Sequence, residues 1–242
     1  MTTGPQSPPR LALTLNPSRV TRVLGLTGAV LVLASLAGQL FRFATGHDTV
    51  WGLIPLFYVD TEDNIPSYFS AAQLLMAALL LGAIAFIKYR TQAPYRTRWL
   101  LLAFTFLYLS IDEAEGVHEL MIEPMRGLLG PWARGFLYYA WVVPGAAVAV
   151  VLGLAYLKLL REFPVRLRRL VVIGAILFTG GSIGMELIGG WWFDRYGPTL
   201  VYSLIVTVEE GAEMAGITVF IYALLAYLGE IIGELRLTFG RG

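Results

Sequence analysis

Residues 74–87 read LLMAALLLGAIAFI, a run without a single charged or hydrogen-bonding side chain. A strand of a membrane barrel alternates apolar and polar residues over about ten positions, and this run does not alternate. Taken with its flanks, Ser67 to Ile87, it reaches the roughly 20 apolar residues that a helix needs to cross a bilayer core. Five further stretches read the same way, at about 22–43, 99–121, 135–160, 170–193 and 199–228. The predicted fold class is therefore all-α, a six-helix transmembrane bundle. One transmembrane domain covers 19–230, between flexible tails at 1–18 and 231–242. Pro5, Pro8, Pro9 and Pro17 in the first tail oppose regular structure there.

Composition supports the same class. Of 242 residues, 57% are hydrophobic and 14% charged, against about 25% charged in soluble domains. The net charge is +1 and no dense Lys/Arg block occurs, so nothing points to nucleic acid as a partner. With no cysteine, disulfides, thiolate metal sites and Cys nucleophiles are excluded. His47 and His118 are the only histidines, so a three-His metal site within one chain is excluded too.

Basic residues set the expected orientation. Arg10, Arg19, Arg22, Lys88, Arg90, Arg96, Arg98, Lys158, Arg161, Arg166, Arg168, Arg169, Arg236 and Arg241 fall on one side of the six spans. Only Arg42, Arg126, Arg134 and Arg195 fall on the other. Cytoplasmic loops carry the excess of Lys and Arg, which places both termini in the cytoplasm. Arg19 and Arg22 before an apolar run, with Ser35-Leu36-Ala37 behind, also fit a cleavable signal. The run continues to Leu40 and Phe41, which favours an uncleaved anchor.

Two outward segments matter. Thr45 to Pro66 holds Trp51, Leu53, Ile54, Leu56, Phe57 and Tyr58, then Asp60, Glu62 and Asp63. It either lies on the membrane surface or folds back over the bundle as a lid. Glu123 to Arg134, with Pro124, Gly127, Gly130 and Pro131, reads as a turn. Trp191 and Trp192 read as interfacial anchors.

Eight carboxylates fall within or at the ends of apolar spans: Asp112, Glu113, Glu115, Glu119, Glu186, Glu209, Glu210 and Glu213. Each costs about 2.5–3.5 kcal/mol or more at mid-bilayer, and no Lys or Arg lies deep in these spans to offset it. Protons, water or a bound cation remain as compensation. At about 100° per residue, Asp112, Glu115, His118, Glu119 and Glu123 share one face of a continuous third helix, and Glu113 points elsewhere. Glu209 and Glu213 form an i, i+4 pair with Tyr202 and Gly216 on their face, and Glu210 at its border. Thr179, Ser182 and Glu186 form a polar stripe. Gly180 and Gly184 form a small-xxx-small pair suited to close helix packing.

Glu115-Gly-Val-His118 has the Glu-x-x-His spacing used in helix-bundle dimetal sites, and Glu210-Gly-Ala-Glu213 repeats the spacing with Glu for His. The expected metal ligands are Asp112, Glu115, His118, Glu186, Glu209 and Glu213, with Glu119 or Glu210 as general base. Carboxylates with one imidazole suit Fe, Mn or Zn, or Ca as a harder ion. The competing reading of His118 is an interfacial histidine bonded to Glu119 or a backbone carbonyl. The competing reading of Glu209, Glu210 and Glu213 is a protonated cluster holding helices together.

At Glu62-Asp-Asn64-Ile-Pro66-Ser67, Ser110-Ile-Asp112-Glu113 with His118-Glu119, and Glu209-Glu210 with Glu213-Met214, the chain resembles a family of uncharacterised multi-pass bacterial membrane proteins. The resemblance spans about Gly46 to Leu228. It implies a location in the bacterial inner membrane and no particular chemistry. Membrane zinc hydrolases of the ceramidase and progestin-receptor-like type are also compact helical bundles, but they use a His-x-x-x-His pair that this chain lacks. Three functions stand on the sequence: a metal-dependent membrane enzyme hydrolysing or oxidising a lipid-like or small substrate, a proton- or cation-coupled transporter or channel, and a non-catalytic membrane subunit.

Overall fold

A computed structural model describes residues 16–232. Among the described residues the chain is helical, with turns and short connections and no strand. The helices are α1 (Pro17–Thr45), α2 (Leu53–Phe57), α3 (Ile65–Arg90), α4 (Arg96–Glu115), α5 (Ile122–Leu129), α6 (Val142–Leu160), α7 (Val165–Thr179), α8 (Glu186–Tyr196) and α9 (Leu200–Ile232). A π turn, Gly180–Met185, joins α7 to α8, making one long helix of Val165–Tyr196.

Among the described residues, five helices are long and apolar enough to cross a membrane: α1, α3, α6, the α7–α8 unit and α9. The predicted third span differs from these. α4 has 20 residues, but Arg96 and Arg98 open it and Asp112, Glu113 and Glu115 close it, so its purely apolar stretch is short. It nevertheless packs along α3 for much of its length.

Several predicted boundaries shift for local reasons. α1 begins at Pro17, inside the predicted tail, because Asn16 accepts from the Ser18 and Arg19 amides and Pro17 has no amide to satisfy. Residues 1–15 and 233–242, the rest of both predicted tails, lie outside the described residues. The predicted span 99–121 ends early, at Glu115. Gly116 takes a left-handed conformation (φ 59°) and its N–H returns to the Asp112 carbonyl, a glycine helix stop. The predicted span 135–160 starts late, at Val142, after short turns at 130–132 and 135–137.

α9 is the central helix and packs against α1, α3 and α7. The main core fills the end of the bundle away from the acidic residues. There Trp99, Phe163 and Tyr227 pack with ring centroids 4.8–5.5 Å apart, Trp99 stacked on Tyr227 and Phe163 tilted against both, beside buried Leu159, Leu167 and Leu224. Basic residues collect at the same end. Arg22, Arg166 and Arg169 line one groove, and Lys88 meets Glu162.

α7 passes α9 at backbone distance. A Cβ on Gly174 would sit 2.9 Å from the Gly216 carbonyl, and one on Gly216 2.7 Å from the Phe178 amide. On Gly181 it would come 2.8 Å from the Glu209 carbonyl. The expected Gly180 and Gly184 pair is not the contact, since both face open space. The π turn explains the change: it re-phases the helix, so the straight small-xxx-small register does not apply.

The segment 45–66 resolves into two parts. Trp51 is 97% exposed at its tip, while Val59 is 4% exposed and buried against Tyr202 and Val206. The Val59 amide donates to Ser35 of α1, and Asn64 and Ser67 form a capping box that starts α3. Residues 58–64 are therefore folded into the bundle, and the lid alternative describes this half.

Candidate functional site

A cavity of about 670 Å³ opens between α4, α6, α7 and α9 beneath the 58–64 segment. Its polar end is lined by Asp60, Glu62, Asp112, Glu113, Glu119, Glu186, Glu209, Glu210 and Glu213, together with His118. No Lys or Arg is among the lining residues. Nine carboxylates and one imidazole thus face one space with no fixed positive charge to balance them.

His118 is the best-held member. Its backbone N–H donates to Asp112 Oδ1 (2.6 Å), and its Nδ1 lies 3.2 Å from Asp112 Oδ2. The indole of Trp141 packs against it at 4.5 Å. With Nδ1 engaged, Nε2 is the nitrogen left for a ligand, the arrangement seen when a carboxylate orients a metal-binding histidine. Glu62 and Glu119 bring carboxylate oxygens within 4.8 Å of a His118 nitrogen and of each other. Glu62 reaches this point because it lies over Gly116, where any side chain would collide with its carboxylate. Gly116 thus ends α4 and also makes room for the loop.

The cavity roof is a hydrogen-bonded aromatic layer. Tyr202 Oη donates to Asp60 Oδ1 (2.9 Å), and the Tyr139 and Tyr202 hydroxyls lie 2.9 Å apart. Tyr58 Oη and Ser203 Oγ are 3.2 Å apart. Trp141 Nε1 donates to Glu186 Oε1 at 3.1 Å. Burial, before any other cause, raises the Asp60 carboxyl to about 6, with Glu186 and Glu119 adding to the rise and the Tyr58 and Tyr202 hydroxyls opposing it. The Glu62 carboxyl is pushed up to about 7, first by burial and then by the charge of Glu119.

The predicted residues divide as follows. Asp112, His118, Glu119, Glu186, Glu209, Glu210 and Glu213 all line the cavity. Glu115 does not line it and is exposed. Glu113, expected to point away, lines it instead. The expected face assumed that the helix continued through Gly116, and the helix stops there. The inward face of α4 is the i, i+4, i+7 row Trp99, Ala103, Phe106, Ser110 and Glu113, with Trp99, Ala103 and Ser110 buried. Ser110 is pinned by its 2.7 Å bond to the Ala71 carbonyl of α3. Glu115-x-x-His118 is consequently not a helical pair. Asp112, expected as a ligand, has both oxygens in contact with His118. Glu119, expected with Glu210 as a candidate base, lies within 4.8 Å of Glu62 and His118 through its carboxylate oxygen.

Trp141 is outside the expected set, and Asp60 and Glu62 enter it only through the alternative in which the 45–66 segment folds over the bundle. Their signal was present: three acids within four residues of a loop that is otherwise apolar, directly before an Asn-x-Pro-Ser helix start. His47, on the same loop, is exposed and has no part in the cavity.

No curated protein and no solved structure matches this chain. Residues 23–228, which include every residue lining the cavity, match the family described as "Domain of unknown function (DUF8692)". The chain belongs to that family.

Proposed function

We propose that this is an integral membrane protein of the bacterial inner membrane whose acidic cavity holds a divalent cation and acts on a lipid-like or small substrate. The single observation that carries the reading is the lining of nine carboxylates and one imidazole without a Lys or Arg. Carboxylates brought together in an apolar surround repel each other and lose hydration. A divalent cation relieves both costs, and Glu62, His118 and Glu119 already lie close enough to share one.

Six crossings with both termini in the cytoplasm account for the basic residues. In this reading α4 is the sixth crossing, despite its charged ends, and the cavity opens toward the outer face. The donor set suits Fe, Mn or Zn, with Ca as the harder alternative. A cation there would polarise a substrate or activate water or O₂, giving hydrolysis or oxidation. Glu210, which lines the same cavity, would serve as the general base. A through-pathway for ions is disfavoured by the packed Trp99, Phe163 and Tyr227 beyond the cavity.

Elemental analysis of detergent-purified protein tests this reading. Stoichiometric metal in the wild type, lost in His118→Ala and in Glu62→Gln, supports it. A wild type that binds none of Mn²⁺, Fe²⁺, Zn²⁺ or Ca²⁺ on titration overturns it.

A further inference from the structure

The cavity does not end at its acids. Past Glu213 it continues between α4, α6, α7 and α9 as a slot whose walls include Leu109 and Phe106 of α4, Leu152 of α6, Phe178 of α7 and Phe220 of α9. Measured along α9, the whole cavity from Glu209 to Phe220 is about 16 Å deep and the apolar slot from Glu213 to Phe220 about 10 Å, at 1.5 Å per residue, against about 15 Å for half of a hydrocarbon core. Trp99, Phe163 and Tyr227, which do not line the slot, pack together at the end of the bundle beyond Leu102 and Phe220.

One wall is open. α6 keeps its close backbone contacts to α7 and the π turn, and it is tied to α4 where Arg98 Nη1 donates to the Ala155 carbonyl at 3.1 Å. Above that tie, Val148 and Gly153 of α6 line the slot and are at the same time exposed. A Cβ on Gly153 would meet nothing within 4 Å. The slot therefore opens sideways, through apolar walls, onto the surface that faces lipid.

We propose that this slot takes the hydrocarbon chain of a single-chain amphiphile, which enters between α4 and α6 and sets an oxygen-bearing head against the site of Glu62, His118 and Glu119. The proposal rests on the metal-dependent reading above for the role of the head, and on the slot alone for the chain. Three features select this ligand class. The space is polar at one end and apolar at the other. Its full depth, acidic end included, is about that of one leaflet. Its total volume of about 670 Å³ lies in the range of pockets for one drug-sized ligand, too small for a two-chain lipid with its head.

The test uses the full-length protein in nanodiscs and a fatty acid carrying a photoactivatable diazirine at mid-chain. Cross-linked peptides are mapped by mass spectrometry, and Mn²⁺ binding is measured on the same samples. Labels should concentrate on slot residues such as Leu109, Leu152 and Phe178. Gly153→Trp, which fills the opening, should reduce that labelling about tenfold or more. Leu154→Trp on the outward side of α6 should not change it. If Gly153→Trp does not fold, Val148→Trp blocks the same opening. Labels spread evenly over the outer faces of the helices, or slot labels indifferent to both blocking variants, overturn the proposal. Slot labelling in a protein that binds no metal leaves the chain site standing and removes the metal reading. Metal binding with scattered labels does the reverse.

Discussion

Asp112 grips His118 at two points, the backbone amide at 2.6 Å and the ring Nδ1 at 3.2 Å, across the glycine that ends α4. The helix stop thus fixes the imidazole that the cavity presents. Removing one oxygen from this grip leaves the ring free to rotate. Asp112→Asn should weaken divalent-metal binding about 10- to 100-fold, as loss of an orienting carboxylate does elsewhere. Glu115→Gln, one turn away and exposed, should leave it unchanged. Calorimetric titration with Mn²⁺ or Zn²⁺ in detergent distinguishes the two. Equal losses in both variants would mean that Glu115 swings into the site.

Asp60 and Glu62 make stability depend on pH in a defined direction. Their carboxyls are raised from 3.8 and 4.5 to about 6 and about 7, chiefly by burial. Each holds its proton more tightly in the folded chain than in the unfolded one. The stabilisation is complete below the unfolded values and is lost as pH rises through 6 and 7. The metal-free protein should melt at a lower temperature at about pH 7.5 than at about pH 5, and added Mn²⁺ or Zn²⁺ should raise the melting temperature more at the higher pH. A metal-free melting temperature that climbs over this interval would contradict it.

The glycines of the α7–α9 crossing separate by position. Gly181→Ala and Gly216→Ala place a methyl group 2.7–2.8 Å from backbone atoms of the neighbouring helix, an overpacking worth about 1–3 kcal/mol. Gly180→Ala and Gly184→Ala meet open space and should be neutral or stabilising by several tenths of a kcal/mol, since helix interiors favour alanine. Thermal unfolding of the four variants is the check, and a reversed ranking would mean that the π turn is not present.

Gly116→Ala fails for two reasons. Its φ of 59° disfavours a side chain, and the new methyl group would collide with the Glu62 carboxylate. The substitution should cost about 1–3 kcal/mol and displace Glu62 from the donors. Metal binding should fall to the level of Glu62→Gln, while Gly127→Ala, which meets nothing, behaves as wild type. Intact metal affinity in Gly116→Ala would show that Glu62 is not a ligand.

Hydropathy located the long helices because continuous apolar runs depend on composition alone. The acids of the site were also visible, since a carboxylate in such a run has no cheap structural explanation. What escaped was phase. Choosing Glu115 over Glu113 required carrying one helical face through Gly116, and a glycine can either continue a helix or stop it. The row Trp99, Ala103, Phe106, Ser110 and Glu113 was written at helical spacing, yet with so many apolar residues on all sides of α4 it did not stand out. Glu62 escaped for a different reason. Its place in the site depends on Val59 seating under Ser35 and on Asn64 starting α3, tertiary contacts that no local pattern encodes.

The π turn at Gly180–Met185 has a consequence for sequence length. A π turn accommodates one residue more than the α-helix it interrupts, and one residue rotates everything downstream by about 100°. Glu186 meets the Trp141 indole only with that surplus residue in place. Deleting Gly180 would leave an uninterrupted helix of nearly the same composition and hydropathy, with its last three turns swivelled away from the partners they now touch. Within this stretch the number of residues matters as much as their identity.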